Sequence, residues 1–144
     1  MVEDAIEAGG GNYLGVALAP IDVSELELKR LASKGFRALR FNFMKHLTGG
    51  FDVSDVLKLT SRLANVNMHL QVHFESELVH SVGSALLQSA VPVVIDHMAR
   101  VDATLGEGHA AFQALMKLLD HKNMHVKVSG IDRIEATSQA GSGY

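Results

Sequence analysis

Apolar residues along this chain alternate between two rhythms, and the alternation lays out a regular series of elements. Residues 12–19 (NYLGVALA), 36–43 (FRALRFNF), 68–74 (MHLQVHF), 91–97 (VPVVIDH) and 124–130 (MHVKVSG) either repeat every second residue or run apolar, as strands do. The stretches between them repeat every three to four residues. Asp22, with Glu25 three residues later, opens a helix that carries Leu26, Leu28 and Leu31 and ends near Lys34 and Gly35. Asp52 or Ser54 caps a second helix whose Val56, Leu59 and Leu63 form one stripe. Residues 76–89 and 108–121 read as a third and a fourth helix, and 138–144 as a small, polar tail.

Strands that alternate with helices are expected to lie parallel, joined by right-handed crossovers, so the fold class is α/β. The strand faces narrow the choice. Ala38, Arg40 and Asn42 share one face against Leu39, Phe41 and Phe43. His69, Gln71 and His73 oppose Leu70, Val72 and Phe74, and His125, Lys127 and Ser129 oppose Val126 and Val128. In the first strand the small residues Gly15, Ala17 and Ala19 take the inward place, with Leu14, Val16 and Leu18 outward. A parallel strand inside an open doubly wound sheet is apolar on both faces. One apolar and one polar face suit a (β/α)8 barrel, in which the polar face looks into an interior that opens on a ligand site. A complete barrel needs roughly 250 residues. The 144 residues here therefore read as one partial barrel domain, with its core over about 12–135.

Composition removes several alternatives. The formal charge of −3 is weak and unclustered, which argues against a nucleic-acid or membrane surface. There is no cysteine, so disulfides and thiolate metal sites are excluded. No apolar run approaches the roughly 20 residues that span a bilayer, and the acidic start of the chain lacks a signal core. A soluble cytoplasmic protein is expected. Gly9, Gly10 and Gly11 precede a strand instead of joining a strand to a helix, so they do not suit a dinucleotide phosphate.

Barrel chemistry sits where strands end, and unusual residues gather there. Arg40 lies on the inward face, where a guanidinium needs an anionic partner. It reads either as a fork for a ligand carboxylate or as an internal salt bridge to Glu75 or Asp96, and we take the first. His97 reads as a metal ligand, a general acid/base or a donor to a carbonyl oxygen. His73 shares its height, and His46 follows the second strand; both are taken as ligand contacts. Arg100 and Arg133 lie just past strand ends, where they can bind anions. Lys127 points inward and could meet a buried carboxylate. Asp96 and Asp132 are expected to bond turn amides. His69 is read as structural, and His80, His109 and His121 as surface or packing residues.

The segments FRALRFN (36–42), VPVVIDHMAR (91–100) and VKVSGIDR (126–133) resemble the amidohydrolase-related group of TIM-barrel hydrolases, nearest its 2-pyrone-4,6-dicarboxylate lactonase branch. The resemblance covers about residues 12–135 and implies barrel strands two to six. The group's first strand carries His-x-His and its last an Asp that acts as base; neither motif matches in this sequence, so turnover by these residues alone is not expected. By motif, Arg40, Arg100 and Arg133 would contact carboxylate or carbonyl oxygens, and His97 would polarise the lactone carbonyl. The lactonase branch has Tyr at the place of His73 and Arg at that of His46, which puts the pyrone dicarboxylate itself in question. The implied activity is water attack on the ester carbonyl of a carboxylated lactone, with His97 and Arg133 steadying the oxyanion. The alternatives are a metal-dependent amidohydrolase or decarboxylase of the same superfamily, or an inactive fragment that self-associates through open sheet edges. The cofactor is left open between one divalent ion such as zinc, with His97 and His73 as candidate ligands, and none.

Overall fold

The computed structural model describes residues 2–43 and 52–130. Five parallel strands form one sheet in sequential order: β1 (Gly15–Ala17), β2 (Phe36–Phe43), β3 (His69–Phe74), β4 (Val93–Ile95) and β5 (Met124–Val126). The helices are α1 (Val2–Ala8), α2 (Glu25–Ser33), α3 (Val53–Ala64), α4 (Val79–Leu86) and α5 (Ala110–Leu119). A sheet whose strands follow chain order keeps every right-handed crossover on the same side. Accordingly α3 packs on α4, and α4 on α5, as one layer. This is the arrangement of part of a (β/α)8 barrel and not of a doubly wound sheet.

The core lies between that helix layer and the apolar strand face. Leu39, Phe41, Leu70, Val72, Phe74, Val93 and Ile95 are all within 1% of full burial, and Leu28, Val56, Leu63 and Leu86 meet them from the helices. Each such side chain contributes about 1.5–3 kcal/mol of transfer free energy, so this face holds the sheet together. The register pairs Arg40 with Gln71 and Asn42 with His73, so the polar residues of β2 and β3 stand side by side on the opposite face.

Several boundaries differ from expectation, each for a physical reason. Ser24, not Asp22, caps α2: its side chain accepts the Glu27 backbone N–H. Asp52 caps α3 by accepting the Ser54 N–H. The expected 76–89 helix begins as a tight 3₁₀ turn, Ser76–Leu78, before α4 starts. The sequence pattern missed α1, which seats Ile6 beside Gly15 and Gly35; a side chain at Gly15 would strike the Phe36 ring and Ile6 within 2.8 Å.

In β1 the expected faces are reversed. The register skips one residue between Gly15 and Val16, which sets Val16 beside Ala38 and Ala17 beside Leu39. A one-residue irregularity moves every later side chain to the other face. Ala17 is therefore buried against the core, while Leu14, Val16 and Leu18 are exposed.

Candidate active site

The polar strand face converges on Asp96. This residue follows β4 directly and is fully buried. Its Oδ2 accepts a hydrogen bond from Gln71 Nε2 at 2.7 Å and lies 3.0 Å from Arg40 Nε; its Oδ1 lies 3.0 Å from Lys127 Nζ. Side chains from two strands, β2 and β3, and from the residue after β5 thus surround one carboxylate. Burial works against its ionisation. The hydrogen bonds from Gln71 and Lys127 and the positive charge of Arg40 outweigh burial and hold its pKa below the usual aspartate value. Such a carboxylate is a poor base, because every donor that steadies its charge weakens its hold on a proton.

This corrects one expectation. Asp96 was expected to bond turn amides; instead it anchors the cleft, because β4 ends with its inward position facing Arg40 and Lys127. Arg40, read as a fork for a ligand carboxylate, has its Nε 3.0 Å from Asp96, one of the two internal partners weighed beside that reading. Its Nη2 reaches His73 Nδ1 at 3.2 Å. Lys127, which the sequence allowed to meet a buried carboxylate, does so at Asp96.

His97 owes its place to an unusual backbone. Residues alternate faces along a strand, so His97 would turn away from the cleft if β4 continued. Instead His97, Met98, Ala99 and Arg100 all take φ between 51 and 53°. Four consecutive non-glycine residues in the left-handed region cost roughly 1–2 kcal/mol each, a strain that such sites hold when geometry matters. The expected strand 91–97 is accordingly short. The turn is tied down by Met98 N–H donating to the Lys127 carbonyl at 3.2 Å. As a result the His97 ring stands edge-on to His73, with centroids 5.3 Å apart, and its Nδ1 sits 3.1 Å from Ser129 Oγ. Gly130 (φ +68°) lies beneath the ring; a Cβ there would come within 2.7 Å of His97 Nδ1.

His73 is 7% exposed. Burial first, and then the charges of Arg40, His97 and Arg100, push its pKa down to about 4 against the opposing pull of Asp96. Its Nε2 and Asn42 Oδ1 are buried atoms without a hydrogen-bond partner among the described residues. They come from register partners on β2 and β3, so two polar atoms without protein partners among the described residues lie on neighbouring strands. Among the described residues, the ion pairs of the cleft set Arg40 and Lys127 against Asp96, with Arg100 close enough to act on His73.

Arg40, His73 and His97 therefore come together as expected, with Arg100 nearby. His46 and Arg133 lie outside the described residues, as does Asp132. Sequence reasoning missed Gln71 and Ser129 as parts of the cleft, although both shared the inward parity of Arg40 and Lys127. His69 is part-buried, its pKa lowered by burial and by His125 despite a backbone hydrogen bond at Arg37.

Comparison with known proteins decides the family. The amidohydrolase family model (Amidohydro_2) matches residues 1–143. The chain belongs to the amidohydrolase family. Among its relatives, a 2-pyrone-4,6-dicarboxylate hydrolase of Comamonas testosteroni is 31% identical over 135 residues, covering 93% of this chain and 44% of that protein. A 4-sulfomuconolactone hydrolase of Hydrogenophaga intermedia is 32% identical over 136 residues, covering 94% and 45%. A crystal structure described as a "probable 2-pyrone-4,6-dicarboxylic acid hydrolase" from Acinetobacter baumannii, with citric acid bound, superposes with a TM-score of 0.80 at 26% identity, over 94% of this chain and 51% of that one. A Pseudomonas putida structure bearing the same enzyme name gives 0.81 at 28%, over 94% and 50%. The chain spans about half the length of these amidohydrolase relatives.

Members of this superfamily often use a divalent metal. Among the described residues no group of three or more His, Asp or Glu side chains is arranged to hold one. Both oxygens of Asp96 already face cations, and His73 Nδ1 faces Arg40. The described donor set does not make a metal centre. No helix among the described residues is long and apolar enough to cross a membrane.

Proposed function

We propose that this chain forms part of the active site of a hydrolase that opens the lactone ring of a small carboxylated molecule. The observation that carries the reading is the convergence at the strand ends, where Arg40 and Lys127 meet Asp96, Arg100 lies close enough to act on His73 and two imidazoles stand edge-on. The named relatives act on lactones that bear carboxylate or sulfonate groups, and one structural neighbour holds citric acid; an anionic lactone suits the arginines gathered here.

In this reading Arg100 and the outer edge of Arg40 bind the acid group, while Asn42 and His73 meet polar atoms of the ring. His97 polarises the ester carbonyl from its Nε2 side, since Nδ1 is taken up by Ser129. Water then attacks the carbonyl carbon, and the ring C–O bond breaks to give a second carboxylate and a hydroxyl. Oriented donors aimed at the developing oxyanion supply the main stabilisation; Arg133 is a proposed second donor and His46 a proposed further contact. Asp96 is unsuited as the base that activates water, so the base is proposed to come from outside the described strands.

The test is calorimetric binding of a carboxylated lactone and its methyl ester. The acid should bind at least tenfold more tightly, a difference expected of one charge-assisted contact, and His97→Gln should lower any hydrolysis without removing binding. Equal affinity for acid and ester would sink the reading. A second reading has its own observation. Residues flanking the two edge strands, Leu14, Leu18 and Val128, are exposed at 66%, 74% and 77%, as at a sheet edge awaiting a neighbour. Sedimentation across a concentration series distinguishes a monomer from a self-associating chain.

A further inference from the structure

We propose that Arg40 acts as a positioning residue for His73, holding it as the neutral Nε2–H tautomer so that it presents one hydrogen-bond donor to an oxygen atom of the bound ligand. The ligand half of this inference rests on the acid-binding reading of the cleft; the tautomer half does not.

The argument starts from what a guanidinium can do. Arginine has five N–H donors and no acceptor. Where Arg40 Nη2 approaches His73 Nδ1 at 3.2 Å, the arginine donates and Nδ1 must offer its lone pair. A neutral imidazole carries one N–H, so the proton sits on Nε2. Arg40 cannot easily swing away, because its Nε is held 3.0 Å from the buried Asp96 carboxylate. Asp96 is in turn fixed by Gln71 and Lys127. The chain Asp96–Arg40–His73 therefore sets a proton position at one end from a buried charge at the other.

The Nε2–H so fixed is buried and has no partner among the described residues. It stands on the polar strand face, beside its register partner Asn42 and edge-on to His97. A buried donor of this kind is satisfied by an oxygen acceptor, either a carboxylate or a ring carbonyl. The same arrangement disqualifies His73 as a metal ligand. Coordination through Nε2 would move the proton to Nδ1, where it would point at the N–H of Arg40.

Two-bond ¹⁵N–¹H correlation spectra of the protein read which His73 nitrogen carries the proton. We expect a protonated Nε2 and a bare Nδ1 at neutral pH, and loss of that single pattern in Arg40→Met. Should Arg40→Met fail to fold, the wild-type spectrum decides by itself; a proton on Nδ1 overturns the inference. Citrate is the probe for the ligand half. Its addition should shift the Nε2 resonance. His73→Gln, which keeps an N–H at the same reach, should bind citrate nearly as the wild type does, and His73→Leu about tenfold more weakly. Unchanged citrate affinity in His73→Leu removes the donor role. If the wild type shows the expected tautomer but binds no citrate, the acid-binding reading fails along with the ligand half, and the tautomer assignment stands.

Discussion

Gln71 Nε2 donates to Asp96 Oδ2 at 2.7 Å, although the two residues come from neighbouring strands and neither is more than 5% exposed. This bond closes a ring of donors around a buried charge. Removing the charge leaves Arg40 and Lys127 facing each other across a neutral group. Asp96→Asn should therefore destabilise the fold by about 3 kcal/mol, at the low end for a broken buried pair because Lys127 is half exposed. Gln71→Leu removes only one hydrogen bond to a charged acceptor and should cost about 1.5–3 kcal/mol. Urea midpoints of the two variants measured side by side check the order. If Asp96→Asn were neutral, the donors would not be organised by its charge.

Acid should weaken the fold in two stages. His73 titrates near 6.5 when unfolded and near 4 when folded, so between those values the unfolded chain binds more protons. Stability then falls as pH drops through that window. Asp96 has a folded pKa below its unfolded one; its contribution is present above the unfolded value and is lost as pH falls through the folded one. Denaturation midpoints at pH 7, 5.5 and 4.5 should decline steadily, and His73→Gln should flatten that decline while leaving the steeper loss below pH 4. A His73→Gln variant with the wild-type profile would show that His73 does not set the upper stage.

The strands most legible in the sequence were those whose polar and apolar residues strictly alternate. Phe36–Phe43 was placed to the residue, and its parity put Arg40 on the face of Gln71 and Lys127. Other features left no such mark. The turn at 97–100 lacks the glycine that normally announces left-handed backbone, so Asp96 and His97 read as the end of a strand. The reversal of β1 hangs on one skipped residue, Arg37, between the β2 partners of Gly15 and Val16, which a pattern of small and large side chains cannot reveal. Asp96 was weighed as one possible partner of Arg40 but not as the anchor of the cleft, because its partners lie 25 to 56 positions away along the chain, and parity says which face a residue takes without saying whom it meets. The pattern did reach the convergence of Arg40, His73 and His97.

Gly130 is the cheapest place to disturb His97 without touching it. Its φ of +68° already disfavours any side chain, and an added Cβ would press within 2.7 Å of His97 Nδ1. Gly130→Ala should cost at least about 1 kcal/mol in stability and displace the imidazole from Ser129. The histidine ring resonances of His97 should shift in the variant while those of His69 stay put. Unchanged His97 signals would mean that the backbone gives way at Gly130 and the ring does not.

Arg100 offers a test in which stability and function part company. It ends the left-handed turn at φ 51°, a conformation that costs a non-glycine residue roughly 1–2 kcal/mol. Glycine adopts it freely but loses about 0.5–1 kcal/mol through the greater freedom of the unfolded chain. Arg100→Gly should therefore leave the urea midpoint unchanged or raise stability by up to about 1.5 kcal/mol. If Arg100 binds the acid group of the ligand, the same variant should bind a polycarboxylate such as citrate about tenfold more weakly, the loss expected for a charge-assisted contact. A variant that is less stable and binds as well as the wild type would place Arg100 among the supports of the turn and take it out of the binding cleft.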